Sequence, residues 1–178
     1  TAPDRAVKEE RLIYAAEILK DGGEEGWWIP QYIADEHPDI KTVNDALKHP
    51  DLFKHPELPG KGAVYGCPSG WNCQILMENL FRAYKGEDHG FELIDPGSAA
   101  GLDGSIAKAY ERKQPWLGYY WAPTSILGKY PMKKLSMGVE HDEAEWRKCT
   151  SQPNCADPKP NAWSRSEVYT VVTPRFAK

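Results

Sequence analysis

The sequence predicts an α/β fold, a mostly parallel sheet flanked by helices, and three observations lead there. Short strand-like runs, AVYGCP, FELIDP and PWLGYYW, alternate with longer helical runs, NCQILMENLFRAYK and SAAGLDGSIAKAYERK. Such alternation is the signature of parallel strands joined by crossover helices. In both helical runs the apolar residues recur every three or four positions, which gives each helix one face to lay on a sheet. The 178 residues, 40% hydrophobic and 11% aromatic, suffice for a real core, and the length fits one compact unit.

Taken in order, RLIYAAEIL (11–19) is a short apolar run read as a strand, and DGGEEG (21–26) is a turn. GWWIPQYIADEHP reads as a helix with Pro30 in its first turn, Tyr32 and Ile33 on its buried side, and Pro38 as its stop. TVNDALKHPDLF reads as a further short helix, with Thr42 as N-cap and Asp45 placed to favour the positive end of the helix dipole. KHPELPGKG is a loop. In the helix at 72–85, Ile75, Leu76, Leu80 and Tyr84 form the apolar face and Glu78, Asn79 and Arg82 point outward. In the next, Leu102, Ile106, Ala109 and Tyr110 do the same behind a cap at Ser98 or in the turn at Asp95. MKKLSM and SEVYTVVTP are the last strands. The segment between them, 141–165, is polar, proline-rich and aperiodic, and reads as a surface excursion ordered by its own cysteines.

Composition narrows the function. Lys and Arg total 22 against 26 for Asp and Glu, a net charge of -4, so no basic stripe for nucleic acid or anionic lipid is expected. No apolar run reaches the length of a membrane span, and TAPDRAVKEE contains no apolar signal-peptide core. The four cysteines form two local pairs of equal spacing, Cys67/Cys73 and Cys149/Cys155. Short even-numbered loops favour two disulfides and an oxidising compartment over a four-thiolate zinc site, whose cysteines usually stand two to four residues apart. The spacing excludes a CxxC redox dithiol.

In open parallel sheets ligands bind beyond the carboxyl ends of the strands. Three segments fall there: GCPSGWN, DPGSAAG and WAPTS. The first bends at Gly66 and Gly70 and runs directly into a helix, leaving the amides of Asn72 and Cys73 at its N-terminus, where they suit a carboxylate. Trp71 beside those amides and Trp121 in YYWAP end their segments with large aromatics. Each could simply pack under a loop, but two indoles opposed across a pocket attract a cation, above all one that cannot form hydrogen bonds. The parts specify a zwitterion with a methylated ammonium at one end and a carboxylate at the other, of which glycine betaine is the simplest.

These residues resemble a known family. The CPSGWNC turn, the block DPGSAAGLDGSIAKAYERKQPWLGYYWAPTSILGKYPMKKL and the block GGEEGWWIPQYIADEHPDIKTVNDALKHPDLF are similar to the substrate-binding proteins of glycine betaine/proline betaine ABC transporters, the ProX/OpuAC-like group. The resemblance covers roughly residues 11–140 and the final strand. It implies a two-lobed, type II periplasmic-binding fold that traps its ligand between the lobes in an aromatic cage. By position, Trp71 and Trp121 would be cage walls, the amides of Asn72 and Cys73 would take the carboxylate, and Cys67–Cys73 would be the loop disulfide. It also implies a periplasmic or extracytoplasmic protein that takes up osmolytes, with a small betaine as ligand and a transporter permease as partner of the full-length protein. No cofactor and no metal are implied. Cys149/Cys155 lies where the resemblance ends. Family members build a first lobe from both ends of the chain. Residues 1–178 are therefore expected to be one α/β lobe, the inserted second lobe, with EVYTVVTPRFAK as the strand crossing back, and such a half cage is expected to bind weakly.

Three other readings are weaker. An enzyme of hydrolase type could use Ser69, Ser98 or Cys73 with His89 or His141, but the G-x-S-x-G elbow is missing and the cysteines are better used in disulfides. His37, His49 and His55 each precede a proline and read as loop histidines. His141, Asp142, Glu143 and Glu145 could be tried as metal ligands, although adjacent acids on a polar loop bind weakly. A stand-alone extracellular interaction domain would need Trp27 and Trp28 as an exposed apolar patch rather than as packing at a helix edge.

Overall fold

The computed structural model describes residues 2–19 and 22–177; Asp21 of the 21–26 turn lies outside them. The described residues group into two compact units, Glu25–Trp163 and a smaller one made of Thr1–Glu24 with Ser164–Lys178.

The smaller unit holds a helix, α1 (Ala2–Lys8), and two strands, β1 (Ile13–Glu17) and the chain's last, which pair antiparallel from Ile13↔Val172 to Glu17↔Tyr169. Both strand expectations hold here; α1 was not foreseen. The rings of Tyr14 and Tyr169 meet at a tilt of 49°, with centroids 5.0 Å apart, yet Ile13, Ile18, Val171 and Phe176 are exposed.

The larger unit is built on a five-stranded sheet. Its first strand, β2, is Glu24–Pro30, followed by α2 (Gln31–Glu36) and α3 (Val43–Ala46). β3 (Gly62–Tyr65), α4 (Asn72–Ala83), β4 (Phe91–Ile94), α5 (Ala99–Arg112) and β5 (Gly118–Ala122) form the alternating core. α6 (Ser125–Lys129) and β6 (Met132–Lys134) come next, then α7 (Glu143–Glu145), a π-helical turn over Trp146–Thr150, and β7 (Tyr169–Val172) in the smaller unit. The order across the sheet is β4-β3-β5-β2-β6. β3 lies parallel to β4 and to β5, whereas β6 runs antiparallel to β2, so the sheet is mostly but not purely parallel.

Residues 26–30 correct the sequence reading. GWWIP forms the last five residues of β2, and Pro30, with ψ 141°, is the N-cap of α2 rather than part of its first turn. Two tryptophans and an isoleucine in succession suit a strand covered on both faces, and proline, lacking an N–H, ends the ladder where the helix begins. Trp27 is wholly buried and Trp28 nearly so, its Nε1–H donating to the Tyr120 carbonyl at 3.0 Å. They are core residues, neither an exposed patch nor a helix edge.

The caps behave as read. Thr42 and Asp45 form a reciprocal capping box, and Ser98 accepts from the Gly101 amide at 3.0 Å. The buried face of α4, however, is Cys73, Met77, Leu80, Phe81 and Tyr84, while Ile75 and Leu76 are half-buried. Asn79 also turns inward. Its Nδ2 donates to the carbonyls of Cys149, Thr150 and Gln152, and Arg82 Nη2, though exposed, reaches the carbonyls of Cys155 and Ala156. The polar excursion therefore docks on α4, because a buried amide satisfies the carbonyls that a short turn leaves open.

Candidate functional site at the strand ends

The structure brings the three loops together. Beyond β3, the chain turns through Cys67, Pro68 and Ser69; beyond β4 it turns through Asp95. Ser69 Oγ–H donates to Asp95 Oδ2, and the other Asp95 oxygen accepts from the Gly97 amide at 2.8 Å and the Ser69 amide at 3.4 Å. One carboxylate thus ties two loops. The hydroxyl of Ser69, followed by the Gly97 amide, holds the Asp95 pKa below its usual value. Sequence reasoning places Asp95 in a strand-end segment and in the turn that caps the next helix; its pairing with Ser69, 26 positions away, has no local signal.

The loop after β3 is shaped from within. Gly70 adopts φ +85°, a backbone conformation that side-chain-bearing residues avoid, with open space around its Cβ position. Its amide donates to Gln74 Oε1 at 2.9 Å, and Gln74 in turn donates to Glu78 at 2.8 Å. Cys67 and Cys73 are joined, as are Cys149 and Cys155, each pair six positions apart. Trp71 is the N-cap of α4, with φ −89° and ψ 151° and no side-chain hydrogen bond to the helix. The amides of Asn72 and Cys73 are consequently the first of a twelve-residue helix, where no carbonyl one turn earlier belongs to the helix.

Trp71 and Trp121 meet. Their ring centroids are 5.5 Å apart with planes at 64°, an edge-to-face contact and not two faces opposed across a gap. Edge-to-face contact is what indole quadrupoles favour when rings approach. Trp71 remains 38% exposed. Trp121 rests on Tyr120, centroids 4.6 Å apart and nearly parallel, at the end of β5, from which the chain continues through a cis Ala122–Pro123 bond to the Thr124 cap of α6. Beneath it, Tyr119 donates to Glu25 at 2.6 Å and Tyr120 donates to Asp103. Burial, then the neighbouring carboxylates, push both phenols up, so they stay protonated donors.

The residues of the other readings are occupied elsewhere. Ser98 caps α5, Ser69 serves Asp95, and Cys73 is in a disulfide. His141 lies between the Ala162 carbonyl and Glu143, Asp142 caps α7, and Glu145 accepts from the Lys159 amide. The four are not turned toward one centre, and among the described residues no three His, Cys, Asp or Glu side chains are grouped to hold a metal ion.

A sheet with helices on its faces and ligand-ready loops at its strand ends is the architecture of a periplasmic-binding-protein lobe. Solved structures share it. They include the glycine betaine, L-proline ABC transporter binding protein ProX from Borrelia burgdorferi, with TM-score 0.57 and 17% identity over 96% of this chain and 52% of that one. A choline-binding protein of an ABC transporter, in complex with choline, gives 0.57 and 18% over 98% and 51%. Lactococcal OpuAC in its closed form with glycine betaine gives 0.56 and 16% over 98% and 53%. The chain spans about half the length of each. Residues 2–178 match the OpuAC family, described as the substrate binding domain of the ABC-type glycine betaine transport system, and the chain belongs to that family. Its members are binding proteins of transporters, not enzymes. Among the described residues no helix is long and apolar enough to cross a membrane.

Proposed function

We propose that this chain is the ligand-binding second lobe of an ABC importer's substrate-binding protein for quaternary-ammonium osmolytes such as glycine betaine. The observation that carries this reading is the meeting of Trp71, from the loop after β3, and Trp121, from the end of β5, beside the first amides of α4. The cation rests in the angle between the two indole planes, within the roughly 6 Å over which an aromatic face attracts it. The carboxylate accepts from the amides of Asn72 and Cys73, and the Cys67–Cys73 bond keeps those amides beside the indoles. Choline, which lacks the carboxylate, would keep only the cation contact.

The chain would act outside the cytoplasm and, within the complete protein, deliver its ligand to a permease. The smaller unit supports the lobe reading: one short helix and a two-stranded ribbon, with Ile13, Ile18, Val171 and Phe176 exposed, make a marginal core and suit a crossing between lobes. Titration of glycine betaine, proline betaine, carnitine and choline, followed by tryptophan fluorescence, tests the assignment. Saturable changes with betaines binding more tightly than choline are expected; equal affinity for choline and glycine betaine would remove the amides from the site.

A further inference from the structure

We propose that a groove in the larger unit, whose lining includes none of Trp71, Asn72, Cys73 and Trp121, is a second binding site that takes a flat aromatic monoanion. The groove encloses about 600 Å³ between α5, the 52–56 loop, β3 and the approach to β5. That volume suits a small organic ligand.

Its floor is aromatic and fixed. Trp116 is buried, donates from Nε1 to Ser105 Oγ at 2.9 Å, and Ser105 in turn donates to the Leu102 carbonyl at 2.7 Å. Tyr65 stacks on it, centroids 5.6 Å apart and planes at 13°, and is itself half-buried. Its rim is cationic. Lys54, Lys108 and Arg112 are exposed there, no carboxylate lines the groove, and among the described residues none of the three forms an ion pair. A place in the last turn of α5 accounts for Arg112 through the helix dipole, but not for Lys54 on another element.

The wall is kept low by a glycine that packing does not require. Gly104 lies inside α5, where glycine weakens a helix, and a Cβ there would meet nothing within 4 Å. Gly101, one turn earlier, differs: its Cβ would stand 2.1 Å from the Pro96 carbonyl oxygen. An aromatic platform, three unpaired cations and an opening left at Gly104 together fit a ring bearing one carboxylate or sulfonate.

Titrating 2-naphthoate into the full chain, with the indole N–H resonance of Trp116 followed by NMR, tests this. A saturable shift is expected, with affinity lowered about tenfold in Lys108→Gln/Arg112→Gln and for the neutral 2-naphthylmethanol, the value of one charge-assisted contact. Gly104→Trp is expected to abolish binding, whereas Gly104→Ala keeps it and raises Tm. Trp71→Ala is expected to leave it unchanged. An unmoved Trp116 signal, equal binding of the neutral analogue, or loss of binding in Trp71→Ala would overturn the proposal. The double rim variant changes only exposed side chains and decides the matter if Gly104→Trp does not fold.

Discussion

Trp121 packs against the rings of Tyr120, Tyr119 and Trp71, while Trp71 meets the ring of Trp121 and is more exposed, so the two walls differ in rigidity. Replacing either with alanine removes one cation face, at about 0.5–2 kcal/mol, and should weaken glycine betaine binding roughly 2- to 30-fold by calorimetry. Asn79 tests the docking of the excursion. Asn79→Leu strands three carbonyls and should cost about 1–3 kcal/mol in a urea melt, with proteolysis first in the 146–161 segment. His141 adds a pH dependence. Burial opposes its charge, but the Ala162 carbonyl and the Glu143 carboxylate, on opposite ring nitrogens, outweigh it and raise its pKa above 6.5. A raised histidine stabilises fully below its unfolded pKa and loses that contribution as pH rises through the folded value. Protection of residues 141–163 from protease should therefore fall as pH is raised above about 6.5, and His141→Gln should flatten the profile. Residues of this kind mark where sequence reading stops. Trp71, Trp121 and the helix-start amides could be picked out because aromatic and glycine signals are local, whereas Asn79 and Asp95 take their roles from partners 70 and 26 positions away.

At the scale of elements, the loop after β3 depends on its disulfide. A bond closing so short a loop contributes roughly 2–2.5 kcal/mol by chain entropy, so Cys67→Ser/Cys73→Ser should lower stability by about that amount. Betaine affinity should fall with it, because the amides of α4 lose their fixed place beside Trp71. In α5, Gly104→Ala should stabilise by up to about 1 kcal/mol, read as a higher urea midpoint. Two elements misled the sequence reading for a common reason. The sequence of β2 reads as the start of a helix because Pro30 fits both a first helical turn and the end of a strand, and only pairing with β6 decides between them. The inward face of α4 was misjudged because Asn79 reads as polar and outward until its carbonyl partners are known.

At the scale of the molecule, strand-helix alternation made the β3–β5 core legible in the sequence, and with it the edge on which GCPSGWNC, DPGS and WAPTS converge. The order β4-β3-β5-β2-β6 was not, since a sheet's neighbours are set by long-range packing. Nor was the edge-to-face angle of the two indoles, which depends on how far the loop after β3 carries Trp71 toward the end of β5. The account rests on a cation held by aromatic faces, and one comparison tests that most directly. Calorimetric titration of this chain with glycine betaine and with 3,3-dimethylbutyrate, its uncharged-carbon isostere, isolates the positive charge while keeping shape and carboxylate. The account predicts saturable betaine binding, at least about tenfold tighter than the isostere and lost in Trp71→Ala/Trp121→Ala. Equal binding of the two ligands, or betaine affinity unchanged in the double variant, would contradict it.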